Sequence, residues 1–330
     1  MEDSLEKCTK RKLKTMGMQQ AYQLIAEQEQ RNSRYLSVAT RMDQCSSLLA
    51  FKRNTQTNKR KLWRANFCKN RFCPFCSWRK SQKTFLYLNE TLKVAKARDK
   101  GLRYIFLTLT IPNTGLTGEE LKEGVQELLE AFRGLVHDYL KRHCPAYRGS
   151  FRNMEITINL KDGTFHPHLH VLLAVDKSYF DKNSSSYITQ EKLSEVWANL
   201  CKEKKAFVYM QSVKEKNEEK AILELTKYTT KDEEILTGNP DEQAALLLAL
   251  DQAMFGVRAT SYTGVLRPIY QELKQKELNP DAELFPDLLT VIEFYRWNGH
   301  SNYQLTSSVP MSAIPSEQLT QIVFDLGPDG

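Results

Sequence analysis

The spacing of apolar positions changes several times in the middle of the chain, and each change predicts a new element. Apolar runs rich in β-branched and aromatic residues predict strands, whereas apolar positions three or four residues apart predict amphipathic helices. The pattern predicts, in order, strand 104–110, helix 117–139, strand 153–160, strand 168–175, helix 189–202, strand 206–213 and helix 217–231. This βαββαβα order predicts an α+β fold of ferredoxin-like or RNA-recognition-motif type, an antiparallel sheet backed by helices.

The segments on either side of this block have a different character. The first residues have a polar, helical pattern, and the next stretch is basic and cysteine-bearing, with a turn at 54–58 and a helix at 81–100. The last third holds an Ala- and Leu-rich helix followed by shorter, mixed elements. We therefore predict four parts: an N-terminal helical segment (1–35), a basic cysteine module (36–100), a core (101–235) and a C-terminal region of undefined role (236–330).

The composition narrows the class of protein. Hydrophobic residues make up 41% of the 330 positions, as in globular proteins, and no apolar run has the length of a membrane span. The charged N-terminus does not have the pattern of a secretory signal, so we expect a cytosolic protein without a membrane partner. In that compartment, seven cysteines favour metal binding over a disulfide framework.

The charge is distributed unevenly along the chain. Residues 1–80 hold 18 Lys and Arg against 6 Asp and Glu, a net of +12. Residues 232–330 hold 5 against 15, a net of −10. A strongly basic first quarter is typical of proteins that bind a polyanion such as DNA, although a solvated basic surface has the same composition.

A cluster of histidines is the clearest sign of chemistry. His166, His168 and His170 alternate along a predicted strand, so that they share one face of the sheet. Imidazoles fixed on one face form half of a divalent-metal site. The competing interpretation is that these histidines only satisfy hydrogen bonds near a sheet edge.

The turn before the histidines predicts what lies opposite them. Asp162-Gly163 is a strong signal for a two-residue hairpin loop. That loop would pair His170 with Glu155, His168 with Thr157 and His166 with Asn159. Glu155 would then be the third metal ligand, unless the register slips by one residue and turns every side chain to the other face.

A tyrosine follows on the last predicted helix of the block. Glu224 and Tyr228 are four residues apart and Lys231 is three further on, so all three would share one helical face. A tyrosine can attack a phosphodiester, Lys231 can support the developing charge, and Glu224 can act as a base for water. By itself, this spacing is more often that of a surface or packed tyrosine.

Three clustered cysteines predict a structural zinc site. Cys68, Cys73 and Cys76 have the spacing of zinc ligands, and Cys73-Pro-Phe-Cys76 resembles a zinc knuckle. The fourth ligand would be Cys45, with Cys8 as the second candidate. Reduced free thiols are the alternative.

Basic and aromatic side chains surround these cysteines. The basic residues expected to contact DNA phosphates are Arg64, Lys69, Arg71, Arg79 and Lys80. The interleaved aromatic residues are Trp63, Phe67, Phe72, Phe75 and Trp78. These rings can stack on unpaired bases or can form a small core around the zinc, and we expect some of each.

Taken together, three ordered segments resemble the motifs of rolling-circle plasmid replication initiators (Rep) of the HUH endonuclease superfamily, single-tyrosine type. They are Phe106–Asn113 (FLTLTIPN), His166–Leu173 (HPHLHVLL) and Lys227–Lys231 (KYTTK). The cysteine segment 67–79 resembles that of one plasmid Rep subgroup, and segments 262–266 and 295–298 are also similar. The resemblance covers most of residues 40–300.

The resemblance implies a DNA nicking and strand-transfer activity. By position, His168 and His170 would bind Mn²⁺ or Mg²⁺, and Tyr228 would nick one strand of the plasmid double-strand origin and keep its 5′ end. The free 3′-OH would prime synthesis, and Glu224 would take part in terminating hydrolysis. The implied partners are origin DNA with its hairpin, a host helicase and DNA polymerase; a homo-oligomer remains open.

One departure and two competing functions remain. The first motif contains no histidine or acid, so it supplies no obvious metal ligand. Glu155 is therefore the more important candidate for the third ligand. A conjugative relaxase or a transposase would use the same chemistry. A zinc-stabilised DNA-binding repressor would bind DNA without cleaving it.

Overall fold

The computed structural model of the chain describes residues 4–29, 33–181, 184–203, 206–214, 217–227, 229–276, 278 and 285–314. The chain forms two compact units. The first unit combines Met1–Arg79, Leu236–Ala245 and Asn279–Gly330, and the second combines Lys80–Ile235 and Leu246–Leu278. Each unit is therefore built from segments that are distant in the sequence.

The described residues form an α+β architecture. The strands are β1 (Leu48–Asn54), β2 (Arg60–Ala65), β3 (Leu102–Thr110), β4 (Tyr147–Asn159), β5 (Thr164–Asp176), β6 (Phe207–Val213), β7 (Thr260–Tyr262), β8 (Thr290–Trp297) and β9 (Tyr303–Pro310). The helices are α1 (Leu5–Gln28), α2 (Ser33–Gln44), α3 (Pro74–Arg98), α4 (Gly118–Gly134), α5 (Lys141–His143), α6 (Gln190–Leu200), α7 (Glu218–Leu225), α8 (Asp232–Ile235), α9 (Pro240–Met254) and α10 (Leu266–Gln275).

In the first unit, strands from both ends of the chain form one antiparallel sheet. Its order is β2-β1-β8-β9, so the C-terminal strands extend the N-terminal hairpin. The buried carboxylate of Glu293 on β8 lies 2.6 Å from Arg53 Nε and 3.1 Å from Arg60 Nε, and Tyr295 donates a hydrogen bond to it. The acidic and basic ends of the chain thus meet in this sheet, where two cations offset the cost of burying one anion.

In the second unit, the sheet order is β6-β3-β5-β4-β7, and every neighbouring pair is antiparallel. One face packs against α3, α7 and α10 through a buried cluster that includes Leu92, Tyr104, Leu172, Ile222 and Leu266. Since side chains alternate along a strand, the neighbouring β3 residues point to the opposite face, where α4 and α6 pack. Helix α4 begins at a capping box in which Thr117 and Glu120 satisfy each other's backbone amides.

The predicted mixture of helices and antiparallel sheets is confirmed, and several boundaries are corrected. The helix predicted for 81–100 begins earlier, at Pro74, where proline suits the first helical turn. The polar segment 1–35, predicted to be helical, contains α1 and the start of α2. Within the part of the chain that the structure describes, no helix is both long and apolar enough to cross a bilayer.

The predicted register of the β4–β5 hairpin is wrong by two residues. Asn159 pairs with Thr164, so the loop has four residues, 160–163, rather than Asp162-Gly163 alone. The Asn159 side chain explains the longer loop, because its Oδ1 accepts hydrogen bonds from the backbone amides of Lys161 (3.2 Å) and Asp162 (3.4 Å). Gly163 closes the loop at a φ of +60°.

The corrected register replaces the predicted partners of the three histidines. Glu155 pairs with His168 rather than with His170, and Asn153 is the partner of His170. Thr157, predicted opposite His168, faces His166. A shift of two residues leaves every side chain on its original face, so Glu155 still lies on the face of the histidines.

The helix predicted for 217–231 is also shorter than expected: α7 ends at Leu225. The Thr226 hydroxyl donates to the carbonyl oxygens of Ile222 (2.9 Å) and Leu223 (3.3 Å) and competes with the backbone amides that would continue the helix. Beyond it, the carbonyl oxygen of Thr229 accepts a hydrogen bond from Ile156 of β4. Lys231 is therefore not on the helical face of Glu224, and the predicted spacing argument fails.

Candidate functional site

Glu155, His168 and His170 converge on one face of the sheet in the second unit, on strands β4 and β5. The carboxylate oxygen Oε2 of Glu155 lies 2.8 Å from His170 Nε2 and 3.4 Å from His168 Nε2. The three side chains are at most 7% exposed, and their donor atoms lie within 4.8 Å of one another. Adjacent ligands at about 2.1 Å from an octahedral ion are about 3.0 Å apart, so this donor set fits a divalent cation.

The Nδ1 atoms of His168 and His170 each lie next to a polar group of the protein. His168 Nδ1 donates to the carbonyl oxygen of His166 at 3.1 Å, because a carbonyl can only accept. His170 Nδ1 lies 3.4 Å from the hydroxyl of Thr108. Fixing Nδ1–H directs the Nε2 lone pair of His168 toward the other donors, the usual arrangement of a metal-binding imidazole.

Glu155 is an anion in this environment. Burial raises the pKa of a carboxyl, but the interactions with the His168 and His170 rings outweigh burial and hold the pKa of Glu155 well below its ordinary value. Among the described residues, the hydrogen-bond and ion-pair partners of this buried carboxylate are two imidazoles, and a divalent cation would neutralise its charge. The chemistry of the group therefore agrees with its geometry.

His166 lies beside this group and outside it. Its Nδ1 is 2.8 Å from Oδ1 of Asn113, and burial together with His168 lowers its pKa. Asn113 and Thr108 belong to the first motif, which has no histidine or acid. No sequence signal assigned these two residues a role, and the structure shows that the motif contacts the histidines through an amide and a hydroxyl.

The segment after α7 is held against β4 near Glu155. Asn153 donates its side-chain amide to the carbonyl oxygen of Lys227 at 2.9 Å. The backbone amide of Ile156 donates to the carbonyl oxygen of Thr229 at 2.6 Å. Both neighbours of Tyr228 are thus bound to β4 on either side of Glu155, while Tyr228 itself lies outside the described residues.

The charged residues of this segment are paired. Glu224 forms an ion pair with Lys227 at 2.5 Å, and Lys231 forms one with Glu234 at 3.2 Å. The hydrogen bond to Glu234 raises the pKa of Lys231, so Lys231 is a cation at neutral pH. Glu234 also accepts the backbone amide of Ile158 at 2.9 Å and connects Lys231 to β4. No sequence signal pointed to Glu234 or Asn153, because the hydrogen bonds of Glu234 to Ile158 and of Asn153 to Lys227 are non-local.

The first unit contains the cysteine cluster. Cys45 Sγ lies 3.6 Å from Cys73 Sγ and 3.5 Å from Cys76 Sγ, and Cys68 Sγ lies 3.6 Å from Cys76 Sγ. Four thiolates at about 2.3 Å around a tetrahedral zinc are about 3.8 Å apart, so the spacing fits this ion. Of the two candidates for the fourth ligand, Cys45 joins the group and Cys8 does not.

A buried lysine of α1 hydrogen-bonds to the backbone around Cys45. Lys12 is 2% exposed, and its ammonium donates to the carbonyl oxygens of Asp43 (2.8 Å) and Cys45 (2.7 Å). Burial lowers the pKa of Lys12, whereas the neighbouring Cys45 opposes that shift. Thr15 on the same helix lies 3.6 Å from Cys73 Sγ. The first helix is thereby part of the packing around the cysteines.

The aromatic residues near the cysteines divide into two groups. Phe72, Phe75 and Trp78 are buried, with Phe75 and Trp78 packed edge to face at 5.4 Å. Trp63 and Phe67 are half-buried. Packing explains the first group, so only the second can present a ring face to a base.

The predicted phosphate-contacting residues lie in different environments. Lys69 and Lys80 are exposed, whereas Arg64, Arg71 and Arg79 are half-buried. The Arg64 guanidinium lies 4.6 Å from the centre of the Trp63 ring, and burial lowers its pKa. Stacking of arginine on the half-buried indole is compatible with binding of a phosphate or a base.

Comparisons with known proteins agree with one another. The Rep_1 family model, described as "Replication protein", matches residues 59–297. A protein from a Bacillus species named "Protein rep" is 37% identical over 258 residues, 72% of this chain and 81% of its own length. Proteins of that name from Bacillus amyloliquefaciens (36% identity, 72% and 74% coverage) and Lactiplantibacillus plantarum (34%, 71% and 74%) are also similar. No solved structure matches the chain significantly.

Proposed function

The chain belongs to the replication protein family of the Rep proteins, which confirms its resemblance to plasmid replication initiators. We propose that it nicks one strand of a plasmid origin with Tyr228 as the nucleophile. The observation that carries this proposal is the geometry around β4. A buried donor set suited to a divalent cation lies on the same strand to which both neighbours of Tyr228 are hydrogen-bonded.

In this proposal Glu155, His168 and His170 hold Mn²⁺ or Mg²⁺. A bound ion supplies a positive charge that polarises the scissile phosphate. Two imidazoles among three donors favour Mn²⁺, since Mg²⁺ prefers oxygen ligands. His166, next to the group and bound to Asn113, remains a proposed auxiliary ligand.

The proposed reaction is a transesterification. The phenol oxygen of Tyr228 forms a bond to phosphorus, the bond from phosphorus to the 3′ oxygen breaks, and the phenol proton leaves with that oxygen as a 3′-OH. The products are a 5′-phosphotyrosine and a primer end. Lys231 supplies a nearby cation, and Glu224 serves as the base that removes a proton from water when the phosphotyrosine is hydrolysed.

The strand order supports an HUH-type core for the second unit. Numbered within the βαββαβ unit, β6-β3-β5-β4 is the order fourth, first, third, second, which is that of ferredoxin-like sheets. The division into segments 1–35, 36–100, 101–235 and 236–330 remains a prediction. We propose that the cysteine cluster holds Zn²⁺ and that Arg64, Lys69, Arg71, Arg79 and Lys80 contact origin DNA.

The remaining parts of the proposal concern the cell. Origin nicking by a bacterial plasmid protein takes place in the cytoplasm, and it needs a host helicase and DNA polymerase to extend the 3′ end. A relaxase or transposase would use the same residues. A non-catalytic repressor would not need a buried Glu-His-His donor set, and that set favours the nuclease.

The proposal is tested by removing the phenol oxygen of Tyr228. Purified protein, Mn²⁺ and a supercoiled plasmid with the cognate origin should give nicked circles and a complex that resists SDS. Tyr228→Phe should reduce both by at least about 1,000-fold, since the phenol oxygen is the proposed nucleophile and phenylalanine lacks it. Tyr187→Phe, on a half-exposed tyrosine of the same unit, is the control and should nick normally. Nicking and adduct formation at normal rates by Tyr228→Phe would refute the assignment.

A further inference from the structure

The face of the sheet that carries the metal donors continues onto the edge strand β6. Tyr209 pairs with Thr108, and Thr108 pairs with His170. One step along, Phe207 pairs with Thr110, and Thr110 pairs with His168. Directly paired residues share a face of a sheet, so both aromatic rings lie on the side of the histidines.

The two rings are exposed although their strand is packed. Phe207 is 54% exposed and Tyr209 is 45% exposed, whereas Val208 between them is completely buried on the opposite face. The helices that cover the metal face contact it at the other end of β3, around Leu102 and Tyr104. Packing therefore accounts for Val208 and leaves both aromatic rings open to solvent.

We propose that Phe207 and Tyr209 form a base-stacking platform for single-stranded DNA beside the metal donors. Aromatic faces bind unpaired bases of any sequence, and two rings on alternate residues of a strand are about 6.6 Å apart, which leaves room for one base on each. Two strand spacings separate Phe207 from His168, about 10 Å, which a few nucleotides span.

Charge complementarity favours DNA over other occupants of this face. The sequence from 202 to 216, which contains β6, has five lysines and two glutamates. A strand flanked by lysines attracts phosphates while its aromatic residues bind bases. The platform rests on the proposed nicking function, because the donor set is the reason for DNA to lie on this face. It adds to that function by naming side chains that hold the bases next to the scissile phosphate.

The platform can be tested without catalysis. Binding of the full chain to a fluorescein-labelled 20-mer of thymidine is measured by anisotropy at constant salt, in buffer without chelator and without added Mn²⁺ or Mg²⁺. Phe207→Ala and Tyr209→Ala should each weaken binding by about 5- to 100-fold, the range for loss of one stacked base. Phe207→Tyr and Tyr209→Phe keep the rings and should bind within about twofold of the wild type.

The control is an exposed aromatic residue elsewhere in the unit. Phe180, 41% exposed, follows the far end of β5, so Phe180→Ala should bind normally. Normal binding by both alanine variants of the platform, or equal loss in Phe180→Ala, would overturn the platform. So would conversion of a wild-type dimer to monomers by the alanine variants in sedimentation, because β6 would then pair with a second copy.

The outcomes also separate the platform from the nicking activity. If the wild type nicks through Tyr228 and the alanine variants bind the oligonucleotide normally, the platform alone is wrong. If the alanine variants lose binding but the wild type never nicks with Mn²⁺, the platform stands and the nicking function is wrong.

Discussion

Replacing Glu155 by Gln should abolish origin nicking while the protein remains folded. Glutamine keeps the shape of the side chain and can still hydrogen-bond to one imidazole, but it removes the only negative charge among the three donors. We expect affinity for Mn²⁺ and the nicking rate to fall by at least about 100-fold, since even partners of metal ligands contribute about 10- to 100-fold. Metal affinity is measured by titration calorimetry, and nicking on a supercoiled origin plasmid.

A matched control separates the donor role of Glu155 from a general loss of carboxylate charge. Glu127 is a partly exposed carboxylate on α4, which packs on the opposite face of the sheet. Glu127→Gln should retain both Mn²⁺ affinity and nicking. If Glu155→Gln also retained both, the histidines and Glu155 would only satisfy one another's hydrogen bonds, and the metal interpretation would be wrong.

The second large effect is expected at the cysteine cluster. Cys73 is completely buried, and its sulfur is close to those of the other three cysteines. Cys73→Ser should reduce bound zinc from one equivalent to almost none and should unfold the first unit, because binding of structural zinc contributes about 10 kcal/mol or more to folding in small zinc modules. The zinc content is measured by mass spectrometry of the dialysed protein, and unfolding by circular dichroism.

Cys8 supplies the control for the zinc experiment. It is equally buried in the same unit, yet it is not part of the four-cysteine group. Cys8→Ser should keep one equivalent of zinc, although a buried hydroxyl in place of a thiol lowers the free energy of unfolding by about 1–3 kcal/mol. If Cys8→Ser lost zinc and Cys45→Ser retained it, Cys8 rather than Cys45 would be the fourth zinc ligand.

Local patterns predicted the four central strands of the second unit and the residues that form the two groups of possible metal ligands. Alternation along β5 placed His168 and His170 on one face, and the spacing of the cysteines indicated a shared ion. The turn was mispredicted because Asp162-Gly163 is a strong local signal, whereas Asn159 lengthens the loop with its own side chain. Glu155 was still found, since the error of two residues preserves the face of a strand.

Non-local pairing could not be predicted in the same way. Strand β8 pairs with β1 across more than two hundred residues, and no local spacing encodes that contact. The end of α7 depends on Thr226 and on a hydrogen bond from β4, so helical periodicity overestimated its length. Asn153 binds the segment that contains Tyr228 through the carbonyl oxygen of Lys227, a contact across 74 residues that no local pattern encodes.

The most direct test of the central claim is the identity of the residue that becomes linked to DNA. The complex formed with Mn²⁺ and origin DNA is digested with nuclease and trypsin, and the phosphorylated peptide is sequenced by mass spectrometry. Cleavage after Lys227 and Lys231 releases Tyr-Thr-Thr-Lys. We predict a phosphate, or a short 5′-linked nucleotide, on the phenol oxygen of Tyr228. A linkage to any other residue, or nicked DNA with no linked peptide, would contradict this mechanism.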